Sequence, residues 1–202
     1  AYVTETVVNN VPKLDPKKDV VIDLTNKDQS LDGKEVALGQ VFNYRLTGAL
    51  IPADRATALT DYSFSDDYDE AHDQYDGVYK AFVTVDVTLT DGTILKAGTE
   101  VTRHTLQTVD TQSGQVAIHF DQGFLTSISD QSTFQADVYL QVKRIAAGEV
   151  ENTFVHTVNG VAISSNTVRT TTPEPVEPTP PKQDVPTPPV QTPPTPQVPG
   201  PR

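Results

Sequence analysis

Alternation between apolar and polar residues runs through most of the chain and predicts a succession of short β-strands. In the segment 18–24 (KDVVIDL), Lys18 shares one face with three apolar residues, whereas two aspartates lie on the opposite face. Residues 60–68 and 148–158 alternate in the same way. Because successive side chains of a strand point to opposite faces, each segment is expected to turn one face to a core and the other to water.

The remaining segments add turns and a candidate helix to this pattern. Further strand-like segments are residues 40–46, 79–89, 93–96, 115–120, 133–145 and 161–168. The pairs Asp91-Gly92 and Asn159-Gly160 predict tight turns between neighbouring strands. Residues 52–59 (PADRATAL) predict a short helix with proline near its first turn. Many short strands with turns between them are typical of an antiparallel β-sandwich.

Composition divides the chain into three parts. Of the 16 prolines, 13 lie in residues 173–202, a segment that cannot bury a core and is expected to be a disordered or polyproline II spacer. Residues 13–172 carry the alternating pattern and are predicted to form one domain. Residues 1–12 are predicted to be the end of a preceding, similar domain, because a Thr-Val pair stands ahead of a proline there as it does at the end of the predicted domain. An ordinary flexible terminus is the alternative for this first segment.

The composition also excludes several classes of function. A net charge of −12 argues against nucleic acid and anionic membranes as partners, because both require a basic surface. The absence of cysteine rules out disulfides and thiolate metal sites. The histidines are scattered and no nucleophile elbow, P-loop or dinucleotide fingerprint occurs, so turnover catalysis is not expected. With neither a membrane-spanning apolar run nor a signal-peptide pattern, the sequence is expected to be a soluble piece of a longer secreted protein.

Three polar residues are predicted to point into the core from three different strands: Lys18, Asp66 and Asn152. Asn152, for example, shares its face with Val150 and Phe154. Burial makes a lysine easier to deprotonate and a carboxyl easier to protonate. If the three meet, neutral Lys18 is a nucleophile, Asn152 offers its carboxamide carbon, and protonated Asp66 can stabilise the developing charge and pass a proton to departing ammonia. The product is an isopeptide bond that forms once and needs no cofactor.

Simpler interpretations and rival residues stay open for this cluster. Lys18 and Asp66 can form an ordinary buried salt bridge while Asn152 bonds to backbone groups. Asn166 is the alternative acceptor, although its neighbours in alternation form a less convincing core face. Asp67 is the alternative acid, and alternation favours Asp66 because that residue shares its face with aromatic residues.

The segment 66–76 concentrates acidic residues and is a candidate for metal binding. Its carboxylates belong to Asp66, Asp67, Asp69, Glu70, Asp73 and Asp76. Oxygen ligands of this kind suit calcium, and a calcium site near Asp67, Asp69 and Asp73 is one interpretation. The spacing matches no EF-hand loop, so a solvated acidic loop is the favoured interpretation.

Long stretches of the sequence resemble a known family of bacterial surface proteins. The segments are VPKLDPKKDVVID, VALGQVFNYRLTGALIPADR, DDYDEAHDQYDGVYKAFVTVDVTLTDGTILKAGT, FQADVYLQVKRIA and ENTFVHTVNGVAISSNTV. Over residues 7–172 the chain resembles the most C-terminal globular domain of the streptococcal antigen I/II adhesins, and the proline-rich tail resembles the wall-spanning segment that follows it. The resemblance implies an all-β, immunoglobulin-like variant of the sandwich with a Lys–Asn isopeptide bond assisted by an aspartate. That pattern falls on Lys18 in PKKDVV, on Asn152 in ENTF and on an aspartate in SDDYD.

The resemblance also implies a location and a role. Members are sortase-anchored surface adhesins, so the chain is expected at the bacterial cell wall, joined to peptidoglycan through a signal outside this sequence, which contains no LPxTG-type motif. The first hypothesis is a stalk domain, expected to be monomeric, that supports attachment of the full-length adhesin to host glycoproteins or other bacterial surface proteins. The second is a recognition module that itself binds salivary glycoprotein or partner bacteria. Neither hypothesis is enzymatic beyond the single-turnover cross-link.

Overall fold

Antiparallel strand pairing dominates the part of the chain that this computed structural model describes, residues 13–176 and Gly200. The strands are β1 (Lys17–Val21), β2 (Lys34–Glu35), β3 (Val41–Thr47), β4 (Tyr62–Asp67), β5 (Asp73–Val83), β6 (Val87–Thr88), β7 (Ile94–Leu95), β8 (Thr105–Asp110), β9 (Gln115–Phe120), β10 (Ala136–Arg144), β11 (Gly148–Asn152), β12 (Phe154–Val158), β13 (Val161–Ser164) and β14 (Val168–Thr172). A 3₁₀ helix spans Thr102–His104, and an α-helix, α1, spans Gln122–Ser127. Within the described residues, neither helix has the length or the apolar character needed to cross a membrane.

Two larger sheets and two smaller ones form the domain. A four-stranded sheet has the order β1-β3-β10-β5 and a five-stranded sheet the order β13-β12-β4-β9-β8. A three-stranded sheet has the order β11-β14-β2, and β6 pairs with β7. Inward side chains of both large sheets, such as Leu46 and Phe64, belong to one hydrophobic core. Two sheets that enclose a common core in this way form a β-sandwich.

Aromatic side chains at the inward positions fill much of that core. The ring of Tyr62, at the start of β4, meets the rings of Phe120 and Phe134 edge-on, with centroids 5.7 Å and 4.9 Å away. Its hydroxyl donates to the Ala49 carbonyl oxygen at 2.8 Å. A Cβ at Gly48 would collide with that hydroxyl, so this close approach requires glycine. Edge-to-face pairs contribute about 0.5–1.5 kcal/mol each beyond the area they bury.

Inward and outward residues alternate without interruption along the segment 148–158, but the segment contributes strands to two different sheets. Its first part, β11, belongs to the three-stranded sheet, and its second part, β12, belongs to the five-stranded sheet. Thr153 lies between the two strands, and its neighbours Asn152 and Phe154 are both buried. The chain therefore changes sheets where Asn152 faces inward, which places this amide at a junction between sheets.

The structure confirms both predicted turns. Asn159 and Gly160 adopt φ values of 48° and 81°, the left-handed conformation that a two-residue hairpin loop between β12 and β13 favours. Gly92 lies in the loop between β6 and β7, where the Leu89 N–H donates to the Thr93 carbonyl oxygen at 2.8 Å. Local turn chemistry alone was enough to locate these two reversals of the chain.

The predicted helix at residues 52–59 is wrong. This segment has no helical residues, and Asp54 adopts φ 58°. The Arg55 guanidinium binds it to a neighbouring loop by donating to the carbonyl oxygens of Ser132 at 2.5 Å and Ser129 at 3.0 Å. These long-range hydrogen bonds outweigh the weak helical preference of the sequence.

The α-helix of the described chain lies instead at α1. Asp121 caps its first turn by accepting from the Phe124 N–H at 3.1 Å. Phe124 and Leu125 are buried beneath it, and the Phe124 ring stacks on His104 with centroids 4.2 Å apart. The helix is therefore held by its cap and by core packing, since six residues are too few for intrinsic helix stability.

The predicted boundaries of the domain lie partly outside the described residues. Residues 1–12, 177–199 and 201–202 are not among them, so the preceding domain and the polyproline spacer stay predictions. Within the described part, regular structure begins with β1 and ends with β14 at Thr172. Residues 173–176 follow without helix or strand.

Candidate functional site

The structure brings Lys18, Asp66 and Asn152 together in the interior. Lys18 Nζ donates hydrogen bonds to Asp66 Oδ2 and to Asn152 Oδ1. The exposed fractions of the three residues are 4%, 0% and 3%. Lys18 comes from β1 of the four-stranded sheet, Asp66 from β4 of the five-stranded sheet and Asn152 from β11 of the three-stranded sheet. The cluster therefore lies where three sheets meet.

Strand register surrounds each of these polar groups with apolar neighbours. Lys18 stands opposite Leu46 of β3, and Asn152 stands opposite Val168 of β14. Asp66 lies between Phe154 of β12 and Val116 of β9. Because directly opposed residues are a strand's nearest cross-strand contacts, none of the three polar side chains is paired with a polar one in its own sheet. Within the described residues, their side-chain hydrogen bonds run between the sheets and join them to one another.

Burial sets the electrostatics of this cluster. Lys18 Nζ lies 4.7 Å from the centroid of the Tyr44 ring and 5.9 Å from that of Phe154. Loss of water lowers the pKa of Lys18, and the attraction of Asp66 only partly opposes that effect. Loss of water likewise raises the pKa of Asp66 against the attraction of Lys18. Both shifts favour the uncharged pair, an amine beside a carboxylic acid.

Two atoms of the cluster lack a well-formed hydrogen bond. They are Asp66 Oδ1 and the Asn152 amide nitrogen Nδ2, and both are buried. Buried polar atoms without hydrogen bonds are uncommon and often mark reactive sites. The Asn152 amide is therefore held by Lys18 through its oxygen.

The two rival residues lie elsewhere. Asp67, the next residue along β4, is exposed on the opposite face. Asn166 is also exposed and binds the backbone of β1: its Oδ1 accepts from the Lys18 N–H at 2.8 Å and its Nδ2 donates to the Lys18 carbonyl oxygen at 3.0 Å. Neither residue contacts the Lys18 amine among the hydrogen bonds of the described residues.

The candidate calcium ligands are not gathered into one site in the described part of the chain. Both carboxylate oxygens of Asp73 are engaged, Oδ1 by Arg144 Nε at 2.7 Å and Oδ2 by the Tyr44 hydroxyl at 2.6 Å. Asp69 instead lies 2.8 Å from His72. In the described part of the chain, no group of three or more His, Asp or Glu side chains is arranged to hold a metal ion. The residues present, Asp67, Asp69 and Asp73, therefore do not fit calcium.

Sequence reasoning missed a second buried ion pair beside the cluster. Arg144, at the end of β10, is 0% exposed and bonds Asp73 through Nε. Its other nitrogens donate to Thr172 Oγ1 at 2.8 Å and Thr170 Oγ1 at 2.7 Å. The signal was present, since Arg144 is in phase with the inward residue Val142 of the same strand.

A buried histidine was missed as well. His156 lies on β12 in phase with Phe154, and its Nε2 accepts from the Ala49 N–H at 3.0 Å. Its Nδ1 lies 2.8 Å from the Ser63 carbonyl oxygen, which makes Nδ1 the protonated nitrogen. Burial lowers the pKa of His156 to about 4. Alternation along β12 could have located it, because it occupies an inward position.

Comparison with known families and curated proteins finds the same kind of domain. The family described as "Cell surface antigen C-terminus" matches residues 15–173. The protein "Aggregation substance" of Enterococcus faecalis is 39% identical over 175 residues. That alignment covers 85% of this chain but 13% of the relative, so the chain corresponds to a small part of that longer protein.

Solved structures match the fold over most of the chain. The C-terminal domain of the AgI/II polypeptide BspA of Streptococcus agalactiae has a TM-score of 0.75 at 34% identity, covering 78% of this chain and 49% of that one. The C-terminal domain of the antigen I/II-family protein AspA of Streptococcus pyogenes has a TM-score of 0.74 at 36% identity, covering 78% and 46%. The chain thus spans about half of each solved structure. These matches confirm the predicted antiparallel all-β fold.

Proposed function

This chain belongs to the family of cell surface antigen C-terminal domains, and we propose that it is a stalk domain of an adhesin, stiffened by an isopeptide bond between Lys18 and Asn152. Its relatives are cell-surface antigens and adhesins rather than enzymes, and they indicate an extracellular, cell-wall-associated protein. The observation that carries the proposal is the meeting of Lys18, Asp66 and Asn152 in the dry junction between three sheets.

The reaction balances with the residues present. The Lys18 nitrogen, as a free amine, forms a bond to the Asn152 side-chain carbon, and the bond from that carbon to Nδ2 breaks. Asp66, as a carboxylic acid, donates a hydrogen bond to the carboxamide oxygen and stabilises the charge that develops there. It then takes a proton from the Lys18 nitrogen and delivers one to Nδ2, so that it ends as it began. The products are a secondary amide and one ammonia, and no metal or cofactor takes part.

A covalent bond at this place would support a load-bearing role. Lys18 lies in the first described strand, and Asn152 lies 134 residues later in β11, which pairs with the last strand, β14. Closing a loop of that length stabilises the folded state by about 5 kcal/mol on the loop-entropy account. Tension applied at the two ends would pass through the cross-link rather than through the hydrogen bonds of the intervening strands.

Intact mass spectrometry of the 202-residue chain tests the cross-link. We expect the purified protein to weigh one ammonia less than its sequence mass. The variant Asp66→Ala should restore the full sequence mass, because the proton carrier is gone. Asp67→Ala is the matched control, since it removes the adjacent, exposed carboxylate, and it should still lose ammonia. A wild-type protein of full sequence mass would overturn the proposal.

Attachment to host glycoproteins or to other bacteria, and sortase anchoring to peptidoglycan, belong to this proposal at the level of the full-length adhesin. The enterococcal relative is named for aggregation. A stalk predicts that the isolated chain itself has no measurable affinity for salivary glycoprotein. Surface plasmon resonance with the 202-residue chain tests that expectation.

One observation favours direct recognition as a second candidate. An open groove of about 420 Å³ runs between β1 and β13, next to the backbone of Lys18. Ile163 lines it, and the neighbouring apolar residues Val161 and Val155 are also exposed. Exposed apolar side chains beside a groove are typical of a binding surface. Binding of salivary glycoprotein that Ile163→Asp abolishes would favour this candidate over the stalk.

A further inference from the structure

The ring of Tyr44 connects the proposed cross-link to the second buried ion pair. One face of the ring lies under Lys18 Nζ, 4.7 Å from the ring centroid. The hydroxyl at its end donates to Asp73 Oδ2, while Asp73 Oδ1 accepts from Arg144 Nε. Tyr44, Asp73 and Arg144 are each at most 1% exposed. The surface on which the Lys18 amine rests is therefore fixed by a hydrogen bond to an ion pair that water does not reach.

The other end of the ion pair holds the strand beside Asn152. Arg144 donates to the hydroxyls of Thr170 and Thr172, both on β14. Strand β14 pairs in turn with β11, where Asn152 stands opposite Val168. The contacts thus run from the nucleophile's strand to the acceptor's strand without using the cross-link itself. They can hold the two reacting groups in place before any bond between them exists.

The group formed by Tyr44, Asp73 and Arg144 also balances charge around Lys18. The titratable and charged groups that face its amine are Asp66 from β4, Tyr44 from β3 and, beyond Tyr44, Asp73 from β5 with Arg144 from β10. The carboxylate of Asp73 attracts the Lys18 ammonium and so favours the charged, unreactive amine. Arg144 is always protonated and offsets that attraction from the far side of Asp73.

We propose that Tyr44, Asp73 and Arg144 are positioning residues for the cross-linking reaction, an inference that rests on the proposed function. Tyr44 orients the Lys18 amine toward Asn152, and Arg144 neutralises Asp73 so that this carboxylate does not hold Lys18 in its charged form. Tyr44 meets the Lys18 amine through the face of its ring, and none of the three residues forms a covalent bond or exchanges a proton in the reaction.

The rate of ammonia loss tests the charge-balancing role. The 202-residue chain is made in a short cell-free pulse, shifted into buffers across a range of pH, quenched in denaturant at intervals and weighed by mass spectrometry. In Arg144→Met, Asp73 is unpaired: at low pH it is protonated and harmless, whereas at higher pH its charge stabilises the Lys18 ammonium. The variant should therefore link at nearly the wild-type rate at low pH and fall behind as pH rises. Where Asp73 is ionised and Lys18 is still largely protonated, we expect roughly a tenfold deficit, equivalent to one pKa unit on Lys18. The deficit should close again at a pH high enough to deprotonate Lys18 in both proteins.

A double variant separates the effect of the Asp73 charge from a purely structural effect of the ion pair. Asp73→Asn in the Arg144→Met background removes the unpaired carboxylate, so the deficit should no longer grow with pH. A deficit of the same size at every pH, unchanged by Asp73→Asn, would reduce the ion pair to a scaffold and overturn the charge-balancing role. Wild-type rates in a folded Arg144→Met would overturn it as well. If the wild-type chain itself never loses ammonia, the proposed cross-link fails instead.

Tyr44→Phe tests the orienting role and keeps the inference testable if Arg144→Met does not fold. The change retains the ring and removes only the hydroxyl that donates to Asp73, and we expect linking to slow several-fold. Tyr62→Phe is the matched control, because it removes another buried hydroxyl, from a ring over which Lys18 does not lie. Equal slowing in both variants would show a general effect of lost stability and overturn the role of Tyr44.

Discussion

The Lys18–Asp66 pair and the Arg144–Asp73 pair are both almost fully buried, yet their hydrogen bonding differs. Arg144 donates from all three of its nitrogens, and Asp73 accepts at both oxygens. In the first pair, by contrast, Asp66 Oδ1 has no well-formed hydrogen bond. The bases differ too, because a buried lysine can lose its proton whereas a guanidinium does not. Burial alone therefore does not make an ion pair reactive: a base that can become neutral must also face an electrophilic carbon, here the Asn152 carboxamide.

Lys18→Arg should have the largest effect, because it gives the first pair the permanently charged base of the second. An arginine cannot serve as the nucleophile, so no ammonia should be lost. Without the covalent closure we expect the free energy of unfolding to fall by about 5 kcal/mol, which lowers Tm by roughly 10–20 °C. Intact mass and thermal unfolding measure the two effects. A variant that still loses ammonia would show that another lysine is the nucleophile.

Arg144→Met should have the next largest effect on stability, in addition to its expected effect on the rate of linking. Removing one member of a buried ion pair costs about 3–5 kcal/mol, and protonation of Asp73 should keep the loss near the lower figure. After long incubation the protein should still weigh one ammonia less. The matched control is Arg169→Met, which removes an exposed arginine 2.9 Å from Glu151 and should cost less than about 1 kcal/mol. Equal stabilities of Arg144→Met and Arg169→Met would contradict the expected difference between a buried and an exposed arginine.

His156 provides a buried base outside both pairs and should govern stability in mild acid. Its pKa is about 4 in the folded protein and about 6.5 in an unfolded chain. Between these values the unfolded state binds more protons, so stability falls as pH decreases from about 6.5 to about 4, by about 3 kcal/mol in total.

Urea unfolding of the 202-residue protein at several pH values measures that decrease. His156→Gln should remove most of the dependence, since an uncharged amide takes up no proton. The control His119→Gln replaces an exposed histidine and should leave the dependence intact. An unchanged pH dependence in His156→Gln would assign the effect to other groups.

Asn166→Ala should have the smallest effect and sharpens the choice of acceptor. The variant loses two hydrogen bonds to the backbone of β1, at a cost of about 1 kcal/mol because Asn166 is exposed. Since its amide faces the Lys18 backbone and not the Lys18 amine, ammonia should still be lost. A full sequence mass for this variant, with normal linking in Asn152→Ala, would make Asn166 the acceptor.

Side-chain alternation located the three candidate residues because it depends only on backbone geometry. A strand with an apolar face must bury whatever else lies on that face, so Lys18 and Asp66 could be assigned inward positions without knowledge of the sheets. The same reasoning would have found Arg144 and His156, which also occupy inward positions on their strands. Neither residue belongs to a recognised spacing motif, so only its inward position in the alternation marks it.

Long-range contacts explain where local reasoning failed. Residues 52–59 have helix-forming composition, but Arg55 binds carbonyl groups more than seventy positions away and the segment stays irregular. Asp73 lies in the acidic run that suggested calcium, yet Arg144 and Tyr44 occupy its oxygens. Neither interaction can be predicted from residues nearby in the sequence, because each depends on which strands and loops pack together in the fold.

The chain's own pattern was therefore sufficient for many of the strands, two turns, the all-β class and the inward direction of Lys18, Asp66 and Asn152, since each of these follows from local backbone periodicity. It did not predict β2, β8 or most of β14. Tertiary structure alone decided that these three side chains meet, that Asn166 binds β1 instead, and that Asp73 is paired with Arg144. The physical reason is that contacts between sheets depend on strand order and on the change of sheet at Thr153. Periodicity specifies the face on which a side chain lies, whereas only the assembled sheets specify what it faces.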